Sequence, residues 1–167
     1  MGDLDEEQRL VLQRPTGSPD LANPLTMTFE EWRALSDGPL QLEAQVEQYV
    51  IEPLLRLCLS GEQQTSWQKR LKIPGAGVAD YGVFSGGKPS GVIEVKIGVR
   101  LPRDGDWRSS PDFQQIFRYA AASNLPAALI DSSRIFLFAK GERAPSMWID
   151  RHTATDRDLE TIRSYLA

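Results

Sequence analysis

The stretch 77–97, GVADYGVFSGGKPSGVIEVKI, decides the fold. Two runs rich in β-branched residues, 77–84 and 91–97, flank the turn-forming SGGKPS, which predicts a hairpin with a five- or six-residue turn. Both runs are apolar, yet Asp80 lies in the first and Glu94 and Lys96 in the second. Charge inside an apolar strand is costly to bury without a partner. Glu94 and Lys96 are two residues apart and share one sheet face, while Ile93, Val95 and Ile97 take the other. A register with Phe84 opposite Ser90 sets Asp80 opposite Glu94 on that face. A slip of one residue sends Asp80 to the wrong side.

Two carboxylates directly opposite one another repel unless a cation sits between them. Oxygens from Asp80 and Glu94, with the backbone carbonyl of Val95, suit a hard cation, Mg2+ or Mn2+. Lys96 beside them suits holding or deprotonating a water, or offsetting charge on a phosphate. The same trio also suits a cross-strand ion-pair cluster on a solvated face, and these strands alone leave both readings open.

The flanking sequence supplies the rest of the layout. Upstream, 65–72 (TSWQKRLK) reads as a polar, basic strand, and 40–59 is the strongest helical stretch, with Leu42, Val46, Val50, Leu54 and Leu57 at helical spacing. Pro53 is expected to kink that helix or start a second segment. Residues 28–35 read as a short helix with a Thr28/Glu31 capping box. Downstream, the loop 98–109 precedes a helix that opens at Ser110-Pro111 and stops near Asn124. Strands follow at 127–130 and 134–139, and Thr155 with Asp158 opens a last helix whose apolar face is Leu159, Ile162 and Leu166. The order α-β-β-β-α-β-β-α implies an α/β sandwich with a mixed central sheet flanked by helices. Residues 1–25 read as a flexible acidic arm, and 26–167 as a single domain.

Composition narrows the function. The chain has 167 residues, 41% hydrophobic and 25% charged, enough for one self-sufficient core. One cysteine, Cys58, excludes a disulfide framework, and with one histidine, His152, a four-ligand Cys/His zinc site is excluded too. Cys58 is expected in the core and His152 on the surface near a helix start. No apolar run is long enough to span a membrane, and the acidic N-terminus is unlike a signal peptide, so a cytoplasmic protein is expected. The net charge is −4, but residues 1–31 hold seven acids against two bases, so the body from 32 onward is at +1. A near-neutral body still binds a polyanion where its bases cluster. Lys69, Arg70 and Lys72, beside Trp67, form one such cluster. Arg100, Arg103 and Arg108 in the loop form another, with Trp107 placed to stack on a base. A charged, protected sheet edge explains the first cluster equally well.

Asp80, thirteen residues, then Glu94-Val95-Lys96 resembles the PD-(D/E)xK nuclease superfamily, with Ala79 in place of its proline. Gln115 and Tyr119, at i and i+4 on one helix face, match the QxxxY motif of the RecB-type exonucleases, with Arg118 beside them. The helix LEAQVEQYVIEPLL resembles the first helix of the nuclease domain of type I restriction subunits. There Glu43 matches the family glutamate, and Glu47, one turn on, shares its face. The resemblance covers about residues 40–140 and implies a restriction endonuclease-like three-layer sandwich and metal-dependent cleavage of phosphodiesters. It implies DNA as the usual substrate, with RNA left open. By the resemblance, Asp80 and Glu94 hold the metal, Lys96 positions the water, Glu43 or Glu47 tunes the site, and Gln115 and Tyr119 position substrate or the lysine. A homodimer, or a larger restriction or repair complex, is a further expectation. A binding or scaffold module of the same fold, without cleavage, is the alternative. The chain lacks the phosphate-loop pattern GxxxxGK[ST], so any ATP-driven translocation has to come from a partner.

Overall fold

The computed structural model describes residues 21–61 and 64–167. Of the expected arm, 1–20 lie outside the described residues. Leu21 and Ala22 pack on the core, and Arg56 donates to the carbonyls of Pro24 and Met27, while Leu25 is exposed.

Helix α1, Phe29–Ala34, opens on the expected capping box: the Glu31 N–H donates to Thr28 Oγ1 at 3.1 Å, and the Thr28 N–H to Glu31 Oε1 at 3.3 Å. Helix α2, Glu43–Val46, passes through a π turn, Glu47–Ile51, into helix α3, Glu52–Leu59. Pro53 explains the break. It has no N–H to donate and its ring crowds the preceding turn, so the wider i→i+5 pattern takes over, with the Glu52 N–H on the Glu47 carbonyl.

Three antiparallel strands follow: β1 Thr65–Ile73, β2 Gly77–Ser85 and β3 Lys88–Val95. Helix α4, Pro111–Ser123, crosses over to β4, Ala127–Ile130, which runs parallel to β3. Strands β5, Arg134–Phe138, and β6, Met147–Asp150, complete the antiparallel edge, and helix α5, Asp156–Leu166, closes the chain. The result is a six-stranded mixed sheet in sequence order, with helices on both faces. Ile93, Val95, Ala128 and Ile130 face a core formed with α1, the α2–α3 segment and α5. Val92, Leu129, Phe136 and Phe138 face a second core under α4. Strand β6, four residues long with Trp148 exposed, is not part of the sequence expectation, which placed no strand after 139.

The hairpin differs from expectation in an informative way. The turn is two residues, Gly86-Gly87, with φ of 59° and 77°, as a type I′ turn demands. Near it Phe84 pairs with Pro89, not Ser90. That register, continued, would put Asp80 opposite Ile93. A bulge at Ser90 restores the other register, Val83 pairing with Gly91 and Tyr81 with Ile93, so that Asp80 comes opposite Glu94. The bulge is pinned from outside. Ser90 Oγ lies 2.7 Å from the Leu166 carbonyl and 3.2 Å from that of Val83. A Cβ on Gly91 would sit 2.8 Å from the same Leu166 carbonyl. Gly91→Ala is therefore expected to destabilise the domain by about 1–3 kcal/mol, because backbone must move to admit the methyl. Thermal unfolding checks this, and an unchanged Tm would mean that the end of α5 yields freely.

The caps behave unequally. Asn124 ends α4 in the left-handed conformation, φ 56°, and Thr155 and Asp158 box the start of α5. Ser110 precedes α4, but its hydroxyl donates to the Arg100 carbonyl at 3.4 Å and accepts no N–H of the helix. Cys58 is buried, as expected, and burial pushes its thiol up to about 12. Among the described residues no helix is long and apolar enough to cross a membrane.

Candidate active site

The site is built at the open end of the β2–β3 hairpin. Asp80 lies at the middle of β2, and its Oδ2 accepts from the Val95 N–H at 2.8 Å. The Asp80 N–H in turn points at Glu94 Oε2, 3.4 Å away. The two carboxylates thus face each other across the strand pair, as the expected register requires. Glu94 is 4% exposed. Burial, and then the neighbouring Asp80 charge, push its carboxyl up to about 8, with Lys96 pulling the other way.

Lys96 leaves β3 at its last turn, its N–H held by the Ile130 carbonyl at 2.9 Å. Its Nζ lies 3.9 Å from Glu94 Oε1 and 4.0 Å from Glu43 Oε1. The segment after it is clamped by buried Asp131, which accepts from the N–H groups of Val99, Ser133 and Arg134. Arg134 also donates to the Val99 carbonyl at 2.6 Å. That clamp keeps the chain from swinging at the point where Lys96 emerges. An Asp-Ser-Ser turn was legible in the sequence. Its role in holding a segment 32 residues upstream was not.

Glu47 does not join Glu43 at Lys96. It is buried and pairs with Lys69 Nζ at 3.4 Å and with Arg70 at 3.3 Å. Lys69 also pairs with Glu52 at 2.8 Å, and Glu52 accepts from the Tyr81 hydroxyl at 3.0 Å. The hydrogen bond to Glu52 raises the Lys69 pKa, and burial followed by the Glu52 charge raises that of Tyr81. Glu47 and Glu52 stand about 140° apart on a regular helix at roughly 100° per residue. The π turn brings both onto Lys69, which no regular-helix reading shows.

Arg70, expected from the sequence as a phosphate contact, is paired with the site's own acids. Its Nη1 lies 2.6 Å from Asp80 Oδ1, and its other arm reaches Glu47. Its backbone is left-handed, φ 60°, inside a strand. For a non-glycine residue that conformation costs on the order of 1–3 kcal/mol.

On α4, Gln115 Nε2 lies 3.3 Å from the Tyr119 hydroxyl, which donates to the Val78 carbonyl at 3.0 Å. The i, i+4 pair is thus formed, and it ties α4 to β2 two residues before Asp80. Arg118 is exposed and its guanidinium lies 5.5 Å from the Tyr119 ring.

The other basic candidates divide. Lys69 and Arg70 are engaged by acids at the site, and Lys72 is exposed on β1. Arg100, Arg103 and Arg108 are exposed in the loop. Trp107 is partly buried and packs edge-on against Phe113, ring centroids 4.7 Å apart, at the rim of the second core. Trp67 likewise packs edge-on against Tyr81 at 5.7 Å. His152 is partly exposed, its ring held between the Arg33 carbonyl and Asp37.

The donor set fits a small divalent cation. Two carboxylates from opposed strands, Asp80 paired with Arg70 and Glu94 desolvated beside Lys96, are the oxygen donors a hard cation takes. Mg2+ takes one or two carboxylates and keeps its waters. Among the described residues no third His, Cys, Asp or Glu completes an all-protein cage, so water or substrate oxygens have to fill the remaining positions.

The raised Glu94 pKa has a measurable sign. Between the ordinary carboxylate range and about 8 the folded, cation-free protein holds a proton that the unfolded chain has lost. Stability therefore falls as pH rises through that window. Glu94→Gln is expected to flatten this slope in thermal melts run in EDTA. A slope unchanged by the substitution would place the titration elsewhere.

No model of a known protein family matches the chain, and no curated protein sequence and no solved structure matches it.

Proposed function

We propose that this chain is a metal-dependent nuclease of restriction endonuclease-like fold that hydrolyses phosphodiester bonds in DNA. The observation that carries the reading is the Asp80–Glu94 pair facing across β2 and β3, with Lys96 Nζ 3.9 Å from Glu94. A pair of repelling carboxylates beside a lysine is an expensive arrangement for a purely structural surface. The i, i+4 pair Gln115 and Tyr119, tied to the strand that carries Asp80, supports it.

Asp80 and Glu94 would hold Mg2+ or Mn2+, with the Val95 carbonyl as the third protein oxygen. When bound, the cation supplies Lewis acidity and lowers the pKa of a water. Burial holds the Glu94 carboxyl above the ordinary range, so Glu94 would have to be deprotonated to serve as a ligand. Lys96 orients the attacking water by hydrogen bonding and offsets the negative charge that builds on the phosphate oxygens. Glu43, 4.0 Å from Lys96 Nζ, keeps that side chain aimed at the site. Gln115, Arg118 and Lys72 would contact the substrate, the last two as exposed bases for backbone phosphates.

The test is a cleavage assay on linear duplex, circular duplex and single-stranded DNA with Mg2+ or Mn2+ and an EDTA control. Cutting that needs the cation, and disappears in Asp80→Asn, supports the reading. Salt-sensitive DNA binding without cutting on any substrate would turn it to a binding module of the same fold.

A further inference from the structure

We propose that Arg70 is an internal counter-cation of the candidate centre: its guanidinium holds Asp80 until a divalent cation displaces it, and the released arm then grips a phosphate of the nucleic acid. The inference rests on the nuclease reading above and concerns a residue which that reading does not use.

Three observations on Arg70 converge. Its Nη1 lies 2.6 Å from Asp80 Oδ1, while Oδ2 of the same carboxylate is occupied by the Val95 N–H at 2.8 Å. A cation arriving at Asp80 therefore meets a carboxylate with both oxygens already engaged, one of them by the guanidinium. Second, the other arm is anchored on buried Glu47 at 3.3 Å, so Arg70 can leave Asp80 without leaving the site. Third, the backbone at Arg70 is left-handed, φ 60°, although its neighbours Lys69 and Leu71 keep register with Tyr81 and Ala79. That register sets Arg70 opposite Asp80 on the neighbouring strand, and the protein keeps it there at the cost of a left-handed backbone.

The exchange is favourable by charge and geometry. A compact doubly charged ion interacts with a carboxylate pair more strongly than one arm of a half-exposed guanidinium, 57% exposed in its side chain. The freed arm presents a planar fork of donors, which matches phosphate better than any other side chain does. Cation binding and phosphate binding then become coupled through one residue.

The experiment uses the full chain and MnCl2 alone, with Arg70→Gln and Arg70→Gly. The glycine variant tolerates φ 60° without strain and so keeps the fold if glutamine does not. Calorimetric titration without nucleic acid is expected to show Mn2+ bound roughly tenfold more tightly by both variants, the size of one charge-assisted bond at a half-exposed site. Duplex affinity is then measured in EDTA and in Ca2+. The variants are expected to match wild type in EDTA and to bind several-fold more weakly in Ca2+. Wild-type Mn2+ binding that the variants leave unchanged overturns the displacement and spares the metal reading. An equal loss of duplex affinity in EDTA and in Ca2+ overturns the release. Absence of Mn2+ binding in wild type and variants alike overturns both the inference and the metal centre beneath it.

Discussion

Lys96→Ala is expected to lower cation-dependent cleavage by roughly 10²–10⁴-fold while leaving the fold intact. The separation follows from geometry. Nζ is at the outer limit of ion-pair distance from both Glu94 and Glu43, 3.9 and 4.0 Å, so its removal sacrifices little stability. Removing a positive charge from beside Glu94 also removes a repulsion on an incoming cation, so Mn2+ binding should not weaken in the variant. Lys96→Arg should not rescue cutting: a planar guanidinium keeps the charge but cannot give up a proton or hold water as a compact ammonium does. Cleavage that survives in identically purified Lys96→Ala protein would place the chemistry elsewhere on the chain or outside it. Rate against Mn2+ concentration separates lost affinity from lost chemistry.

Arg151→Ala is expected to be the most destabilising single truncation, about 3–5 kcal/mol, lowering Tm by about 10 °C or more. Arg151 is fully buried in the short turn between β6 and α5. Its Nε donates to the Ser132 carbonyl at 2.6 Å, Nη1 to the Trp32 carbonyl, and Nη2 to the Leu35 carbonyl at 2.7 Å and to Asp37 at 2.6 Å. One guanidinium thereby joins the end of α1 to the turn before β5. Burial lowers its pKa, and Asp37 is the main force resisting that. Truncation strands three buried acceptors and an acid at once. Arg151→Lys should recover little, since one ammonium cannot span the four partners. Asp37→Ala should cost far less, because Asp37 is half exposed and water replaces the pair. Thermal melts of the three variants give the order. An alanine loss no larger than that of Asp37→Ala would show that the carbonyls find water.

Much of the architecture was legible because it depends on short-range chemistry. The Thr28/Glu31 and Thr155/Asp158 boxes, the stop at Asn124 and the break at Pro53 each need only neighbouring residues. Strand β6 was not legible: Met147–Asp150 is short and bounded by a loop, and it becomes a strand because β5 offers it an edge. Arg151, too, carries no local mark, since nothing nearby in the sequence shows that carbonyls more than a hundred residues upstream will meet it.

The sequence by itself determined that Asp80 and Glu94 belong to one strand pair and that Gln115 and Tyr119 share a helix face, while Lys96, expected inside the strand, follows its end at Val95. Alternation and helical pitch are local periodicities that a linear chain displays. Only the tertiary structure decided which acids meet which bases. The Ser90 bulge, held by the Leu166 carbonyl at the far end of the chain, selects the register that opposes Asp80 to Glu94. The π turn sends Glu47 to Arg70 and Lys69 and leaves Glu43 to Lys96. Ion pairs form at a few ångströms and fall away steeply outside that range, so their identity waits on packing that brings distant segments to within one residue of register.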